Sequence, residues 1–311
     1  MQSIVQANNV SRHFNGQFAI QNLSLNIARG EVMALLGTNG AGKTTTLRLL
    51  AGELAPNAGS VSVNNVDINL HPEKAKQYLG YLPDTPPLYG DLTVDEFLTY
   101  CARLRGINKQ ETSARVKEVI TFCELHSVRR RLIKKLSKGY QQRIGIAQAI
   151  IHKPLAVILD EPTNGLDPTQ IQEMRDLILH LRKDAGILLS THQLGEVEQI
   201  CDRVHLLNEG NTVFCKNISE LQQTSAINLR FIKQAPVSEI EAHDEVAKVT
   251  ATDSNSIRID IKGHPSQDHL DALKNSFLAQ SESNSWGLVE IYDVQDTLEN
   301  IFVNEILRED Q

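Results

Sequence analysis

Several features are scarce in this sequence, and each absence excludes a class of protein. No run approaches the roughly 18 to 20 consecutive apolar residues of a membrane-spanning helix, and the N-terminus lacks the basic start and apolar stretch of a secretion signal. The four cysteines have neither CxxC nor Cys/His metal spacing, so neither a disulfide framework nor a zinc site is expected. The net charge of -7 argues against nucleic acid as a partner, because such binding is driven by basic surfaces. We expect a cytoplasmic protein that does not itself cross a membrane.

The apolar residues that are present form short runs that alternate with amphipathic segments. Residues 32–36 and 155–159 are almost wholly apolar, as expected of central parallel strands covered by helices on both faces. A third run, at 186–189, follows a helical stretch from about Thr169 to Lys183 and completes a strand–helix–strand step. These patterns predict an α/β fold.

Two further regions differ from this pattern. The stretch from Val94 to about Leu136 is helix-periodic, and we interpret it as a helical subdomain at about 90–140. Composition changes after about Lys216, where strand patterns appear. They occupy residues 227–232, 256–261 and 288–291, and a helix is expected from about Thr297 to Leu307. We predict two domains, a larger one over 1–216 and a small α+β domain over 217–311.

The strongest local signal is the segment GTNGAGKTT, which fits GxxxxGK[ST] between an apolar strand and a helical run. Its candidate binding residues are Gly37, Asn39, Gly40, Ala41, Gly42, Lys43, Thr44 and Thr45. Glycines allow successive N–H groups to face one phosphate, and the following helix adds its positive dipole end. Lys43 would reach the β and γ phosphates, and the Thr44 hydroxyl would ligate Mg²⁺. The motif predicts a P-loop NTPase but leaves kinases, GTPases and ATPases open.

An acidic pair, Asp160 and Glu161, stands at the carboxyl end of a predicted strand, where open α/β sheets hold ligands. Asp160 suits Mg²⁺ through water, and Glu161 suits a base or orienting group for an attacking water. Taken alone, such a pair is equally compatible with a solvated strand end or a helix cap.

Four segments then follow in an order that resembles one family. They are LSKGYQQR at 136–143, DEPT at 160–163, NGLD at 164–167 and STH at 190–192. They resemble the signature, Walker B motif, D-loop and switch histidine of ATP-binding cassette (ABC) proteins, and the resemblance covers about Ile4 to Gly210. It implies a P-loop NTPase cassette with the helical subdomain inserted, and a transporter's ATP-binding and ATP-hydrolysing subunit.

The resemblance also assigns roles to single residues. It implies that Phe14 stacks on adenine, that His192 contacts the γ-phosphate, and that Lys43, Glu161 and His192 are the catalytic set. Ser137 and the Gly139 backbone would contact the ATP held by a partner cassette, so that ATP joins a homodimer or a pair of related cassettes. The implied cofactors are ATP and Mg²⁺. The implied partner is an integral membrane permease, which would hold the protein on the inner face of the cell membrane.

Three positions depart from the commonest family sequence. Asp84 replaces the glutamine expected after residues 80–83; it is a candidate Mg²⁺ ligand, and equally a turn residue before two prolines. Lys138 replaces a glycine and Tyr140 a glutamine, a variant similar to exporters of the drug, gliding-motility and polysaccharide kind. The C-terminal residues are similar to those exporters as well, which favours export over import.

Two other functions compete with the transport ATPase. One is a soluble cassette ATPase acting in translation, DNA repair or cluster assembly. Translation-type members carry two cassettes per chain and repair types a long coiled coil or a zinc hook, and the sequence has neither feature. A degenerate nucleotide sensor would lack catalytic groups, but Lys43, Asp160, Glu161 and His192 are all present.

Overall fold

The computed structural model describes residues 3–221, 226–263 and 266–294. The chain folds into two compact units, and the division falls between Asn217 and Ile218. The first unit contains, in chain order, β1 (Ser3–Phe14), β2 (Gln17–Ala28), β3 (Val32–Gly37), α1 (Lys43–Leu50), β4 (Ala58–Val63), β5 (Val66–Asp67), α2 (Pro72–Lys76), β6 (Leu79–Leu82), α3 (Val94–Leu104), α4 (Lys109–Phe122), a 3₁₀ turn (Ile133–Lys135), α5 (Lys138–Ile150), β7 (Ala156–Asp160), α6 (Pro168–Leu181), β8 (Gly186–Ser190), α7 (Leu194–Ile200), β9 (Arg203–Asn208) and β10 (Asn211–Asn217).

The central sheet of this unit has the strand order β10-β9-β3-β8-β7-β6. Its strands are parallel except for β10, which pairs with β9 in the antiparallel direction. Every residue of β3, β7 and β8 is buried, because helices cover both faces, and this confirms the three strands predicted from their apolar runs. The carboxyl ends of these three neighbouring strands meet at one edge of the sheet.

A second sheet, of order β2-β1-β4-β5, is antiparallel and was not predicted from the sequence. The pairing of β1 with β2 is interrupted by several register shifts, so the alternation of apolar and polar residues is irregular along both strands. Its inner face shares one hydrophobic core with α1 and the central sheet. Leu47, Leu49 and Leu50 of α1 are buried there, and each contributes about 1.5–3 kcal/mol. This packing fixes the helix that follows the glycine-rich loop.

The predicted helical region forms α3 and α4, which lie between β6 and β7 in the chain together with α5. Thr93 caps α3 in a reciprocal capping box with Glu96, and Asn108 caps α4 through the backbone N–H of Glu111. The predicted helical stretch ends in the 3₁₀ turn, and α5 begins only at Lys138. The signature segment therefore lies at the start of a new helix.

The second unit contains α8 (Ile218–Leu221), β11 (Ala226–Phe231), α9 (Val237–Glu241), β12 (Val246–Asp253), β13 (Ser256–Ile261), α10 (Gln267–Asn284) and β14 (Leu288–Val294). Its antiparallel sheet has the order β12-β13-β11-β14, which confirms the three strands predicted here. Phe231, Phe277 and Trp286 lie in its core, and the Trp286 indole N–H donates to Glu239 Oε2 at 2.9 Å. The helix expected from about Thr297 to Leu307 lies outside the described residues.

Candidate functional site

The loop between β3 and α1 has a backbone that only glycine permits. A side chain at Gly37 would meet the Leu207 carbonyl oxygen at 2.5 Å, and one at Gly42 would meet the Ala19 carbonyl oxygen at 2.6 Å. Gly40 and Gly42 also have φ angles of 87° and 101°, in the region that disfavours other residues. The loop can therefore curl tightly over the end of β3.

This loop ends at the N-terminus of α1, whose first turn contains no acidic residue. The positive end of the helix dipole is therefore not neutralised by its own side chains, which suits an anion. The Lys43 ammonium donates to the carbonyl oxygens of Gly37 at 2.8 Å and Thr38 at 3.2 Å. Burial lowers the pKa of Lys43, while the nearby carboxylates of Glu161 and Asp160 raise it in opposition. Lys43 thus lies between the predicted phosphate-binding loop and the acidic pair Asp160 and Glu161.

These groups line one cavity of about 260 Å³. Its walls are Ala19, Thr38, Asn39, Gly40, Gly42, Lys43, Thr44, Thr45, Asp160 and Glu161. Most of the predicted phosphate-binding residues therefore share one space with the predicted acidic pair. Gly37 and Ala41 support the loop from beneath, since both are buried.

The two acidic residues are held by one buried serine. Ser190, the last residue of β8, donates its hydroxyl to Asp160 Oδ1 at 2.6 Å and accepts from the Glu161 backbone N–H at 3.0 Å. Burial raises the pKa of Asp160, the hydroxyls of Ser190 and Thr44 lower it, and the charges of Asp84 and Glu161 raise it further. Glu161 has a φ of 46°, a left-handed conformation that is uncommon for a non-glycine residue and that clusters at functional sites.

His192 lies beside Glu161, although the two residues follow different strands. Its Nδ1 is 2.9 Å from Glu161 Oε2. The imidazole is 56% exposed and the Glu161 side chain only 16%, so the pair forms a boundary between cavity and solvent. The structure thus brings together Lys43, Thr44, Asp160, Glu161 and His192.

Asp84 lies in the loop after β6 and is not in the wall of this cavity. Its carbonyl oxygen accepts from Gln142 Nε2 at 3.4 Å, and its Oδ1 accepts from Asn164 Nδ2 at 3.4 Å. It nevertheless lies near enough to Asp160 for its charge to raise the pKa of that carboxyl. Asp84 therefore joins the signature helix α5 and the segment after Glu161 to the acidic site.

Ser137 and Gly139 lie on a different surface. They line a second cleft, of about 600 Å³, together with D-loop residues Leu166 and Asp167. Ser137 is the N-cap residue of α5, but its hydroxyl makes no capping hydrogen bond, unlike the Thr93 hydroxyl at the start of α3. In one chain, then, these two residues are separate from the cavity that contains Lys43.

Phe14 ends β1 and is 42% exposed. The guanidinium of Arg12 lies over its ring, 4.7 Å from the centroid, in a cation–π contact. Phe14 is not in the wall of the loop cavity, but β2, which pairs with its strand, supplies Ala19 to that wall.

Sequence reasoning missed the residues that hold the site from behind. Ser190 and Thr191 precede His192 in the switch segment, but their hydrogen bonds could not be foreseen. Glu196 was missed entirely, although it is only 2% exposed and accepts from Thr163 Oγ1 at 2.9 Å. A signal was present, because an acidic residue on the buried face of a short helical pattern is unusual.

A glycine loop over the end of β3, with an acidic pair at the end of β7 two strands away in the sheet, defines the class of P-loop NTPases. Comparison with known proteins gives the family. The family model described as ABC transporter matches residues 20–164. The chain is 40% identical over 212 residues to the uncharacterized ABC transporter ATP-binding protein YxlF of Bacillus subtilis (strain 168), covering 68% of this chain and 70% of that protein.

Two further comparisons indicate the same family. The bacitracin transport ATP-binding protein BcrA of Bacillus licheniformis is 36% identical over 212 residues, covering 68% of each chain. A solved structure of the ATP-binding subunit of an ABC transporter superposes with a TM-score of 0.65 at 31% identity, covering 70% of this chain and 92% of that one.

The chain belongs to the ATP-binding proteins of ABC transporters. It is the ATP-binding and ATP-hydrolysing subunit of such a transporter, which confirms the predicted fold, family and activity and favours them over the non-transport alternatives. Cassettes of this family dimerise and pair with membrane permease subunits. Among the helices that the structure describes, none is long and apolar enough to cross a membrane.

Proposed function

We propose that ATP binds with its phosphates in the loop cavity and that Lys43, Glu161 and His192 carry out hydrolysis. The backbone of residues 37–45 and the N-terminus of α1 receive the phosphates, and the Lys43 ammonium leaves the Gly37 and Thr38 carbonyls to contact the β and γ phosphates. Phe14, at the end of β1, stacks on the adenine. The observation that carries this proposal is the common cavity of Lys43, Asp160 and Glu161.

The same cavity suits Mg²⁺. Its donors are the Thr44 hydroxyl and the Asp160 carboxylate, which lie close enough for the hydroxyl to lower the pKa of Asp160, and hard oxygen ligands are those that Mg²⁺ prefers. Asp160 is 3% exposed and has a raised pKa, so a cation beside it offsets the cost of its buried charge. Asp84 lies near Asp160 and adds a further carboxylate to the acidic surroundings of the cavity. When bound, the ion neutralises charge on the phosphates.

Glu161 orients the attacking water and receives its proton. Phosphoryl transfer depends mainly on positioning and electrostatics, so the direction of this one carboxylate matters. Two contacts and one backbone conformation fix it: Ser190 accepts from its backbone N–H, His192 binds its carboxylate, and the left-handed backbone directs its side chain. His192 also contacts the γ-phosphate from the exposed side of the cavity.

Two cassettes close over ATP, so that Ser137 and the Gly139 backbone of one bind the nucleotide held by the other. The separation of these residues from Lys43 within one chain supports this arrangement. The absence of a capping hydrogen bond from the Ser137 hydroxyl supports it as well. Hydrogen bonds to charged groups contribute about 1.5–3 kcal/mol each, so several across an interface hold it closed until the γ-phosphate leaves.

The closure drives a separate permease, to which this chain binds on the inner face of the membrane, and the direction of transport is export. Support for export comes from the signature variant with Lys138 and Tyr140 and from the 36% identity with a bacitracin transport protein. A homodimer on two permease halves or a pair with a related cassette both fit this role.

The roles of the site residues are tested with Glu161→Gln. The substitution keeps shape and removes the base, so hydrolysis should fall by roughly 10²–10⁴-fold while ATP binding persists. Glu53→Gln, at an exposed ion pair with Arg48, is the matched control and should hydrolyse normally. A Glu161→Gln protein with normal phosphate release would remove the assignment of the base.

The partner is tested by purification of tagged Glu161→Gln protein from detergent-solubilised membranes with ATP present. A multi-spanning protein in stoichiometric amount supports the permease, and its loss in Lys43→Met shows that the association depends on nucleotide. Recovery of the chain in the membrane-free fraction alone would contradict the proposal. Export is tested in inverted vesicles, where the cargo must accumulate inside.

A further inference from the structure

A buried carboxylate lies beneath the Glu161–His192 pair, and nothing in the mechanism described above uses it. Glu196 lies on α7 and is 2% exposed. Its Oε2 accepts from Thr163 Oγ1 at 2.9 Å and from Thr191 Oγ1 at 3.3 Å. Thr163 is two residues after Glu161, and Thr191 is directly before His192. One oxygen atom thus joins the two loops that present these residues.

The two loops follow neighbouring strands, β7 and β8, and the hydrogen bonds of Ser190 join them close to the strand ends. Ser190 holds the start of the first loop through Asp160 and the Glu161 N–H. Glu196 holds both loops farther from the strands, because Thr163 and Thr191 lie beyond those contacts. Thr191 Oγ1 also accepts from the Gln193 backbone N–H at 3.0 Å, which fixes the backbone on both sides of His192.

Stability alone does not explain this carboxyl. Among the described residues, Glu196 Oε1 is buried with no hydrogen-bond partner, and a buried unsatisfied polar atom generally costs stability. Burial raises the pKa of Glu196, whereas the hydroxyl of Thr163 and the charge of Arg175 lower it, as does Thr191. An apolar side chain of the same size would avoid that cost but would leave the Thr163 and Thr191 hydroxyls without this acceptor, so a glutamate here indicates a requirement for its acceptor oxygen.

We propose that Glu196 is a positioning residue for ATP hydrolysis: by binding Thr163 and Thr191 together, it keeps Glu161 and His192 within hydrogen-bond distance. Loss of that oxygen lets the two loops move apart, and the Glu161 carboxylate then samples other directions. The phosphate-binding loop is untouched, so ATP binding remains. This inference rests on the proposed roles of Glu161 and His192.

The test uses the full chain and three substitutions on one helix. Glu196→Met keeps volume but removes the acceptor, and kcat should fall about tenfold or more with KM for ATP changed less than about threefold. Glu196→Gln retains a carbonyl oxygen for both hydroxyls and should keep kcat within about threefold of the unchanged protein. Glu198→Met, at an exposed position on the same helix, is the control and should leave kcat unaltered.

Melting temperature separates positioning from folding. Glu196→Met removes one unsatisfied oxygen but leaves the buried Thr163 and Thr191 hydroxyls without this acceptor, so its melting temperature should fall slightly while it stays fully folded at the assay temperature. Normal kcat in this variant overturns the proposal, and so does a loss in Glu196→Gln equal to that in Glu196→Met. A melting temperature near the assay temperature, with kcat lowered and KM for ATP raised in parallel, would show a structural role only, and would also overturn the proposal.

If Glu196→Met does not fold, the double variant Thr163→Val with Thr191→Val decides. It keeps the shape of both residues and removes both hydroxyl donors. We therefore expect the same fall of kcat as that predicted for Glu196→Met. Normal kcat in a folded double variant overturns the proposal. Glu161→Gln is measured in parallel: normal activity there contradicts the proposed function, whatever the Glu196 variants show.

Discussion

The Glu161 carboxylate and the His192 imidazole are hydrogen-bonded at 2.9 Å, although 30 residues separate them in the chain and they follow different strands. A carboxylate oxygen only accepts, so Nδ1 of His192 carries the proton and donates it. The other ring nitrogen, Nε2, therefore points away from Glu161. His192 thus orients the proposed base Glu161 through Nδ1 and presents Nε2 on the side away from it.

Replacement of His192 by alanine should lower kcat by roughly 10²-fold, because the base loses its orientation and the γ-phosphate loses a contact. ATP affinity should change little, since the glycine loop supplies most phosphate contacts. Phosphate release and equilibrium nucleotide binding measure the two effects. His180→Ala, an exposed histidine on α6, should leave both unaltered. Equal losses of kcat and affinity would contradict an orienting role.

Ser137→Ala, made in the Glu161→Gln background, should weaken ATP-dependent dimerisation by about tenfold, because one hydrogen bond to a charged phosphate is lost. Light scattering with ATP and Mg²⁺ measures it. Since the Ser137 hydroxyl does not cap α5, the melting temperature should not change. Thr93→Ala gives the reverse control: it removes a capping box worth about 1 kcal/mol and should lower stability without affecting dimerisation. Normal dimerisation of Ser137→Ala would contradict the two-chain site.

Two histidines, the buried His205 and the half-buried His152, should make stability fall in acid. Burial lowers the pKa of His205 and of His152 to about 4, below the value near 6.5 of an unfolded histidine. Between these values the unfolded chain binds more protons, so stability is fully present above about pH 6.5 and is lost as pH falls towards 4. Each residue contributes a slope of up to about 1.4 kcal/mol per pH unit.

His205→Gln tests this directly, because glutamine does not titrate and its amide can still bond Thr212 Oγ1, which lies 2.9 Å from His205 Nε2. Urea unfolding, followed by circular dichroism between pH 7 and 5, should show a shallower fall in unfolding free energy. Exposed His71→Gln should keep the original slope. Identical slopes in all three proteins would refute the assignment.

Glu239→Ala should destabilise the second unit by about 1–3 kcal/mol, because the Trp286 indole N–H loses its acceptor in a position that is only 8% exposed. Trp286 is the single tryptophan of the chain, so its fluorescence reports unfolding of this unit. Exposed Glu241→Ala is the control on the same helix. An unchanged fluorescence transition in Glu239→Ala would show that the hydrogen bond contributes no stability.

Local patterns in the sequence were sufficient for much of the fold. The runs that became β3, β7 and β8 are apolar throughout because both of their faces are covered, and the glycine loop could be recognised because its spacing is required by a tight backbone. The sheet formed by β1, β2, β4 and β5 was not foreseen, since register shifts along β1 break the alternation that marks a half-buried strand. The site divides in the same way between predicted and unpredicted residues. Lys43 and Asp160 lie in motifs that the sequence shows, whereas Ser190 and Glu196 act through contacts between distant segments.

The sequence by itself determined the family, the phosphate loop and the acidic pair, because each depends on residues that are consecutive or a few positions apart. Only the tertiary structure decided which of these groups meet: it placed His192 on Glu161, joined Thr163 to Thr191 through Glu196, and separated Ser137 from Lys43 within one chain. The physical reason is that hydrogen bonds act over about 3 Å, and the distances between loops on neighbouring strands depend on strand order and register, which no local pattern specifies.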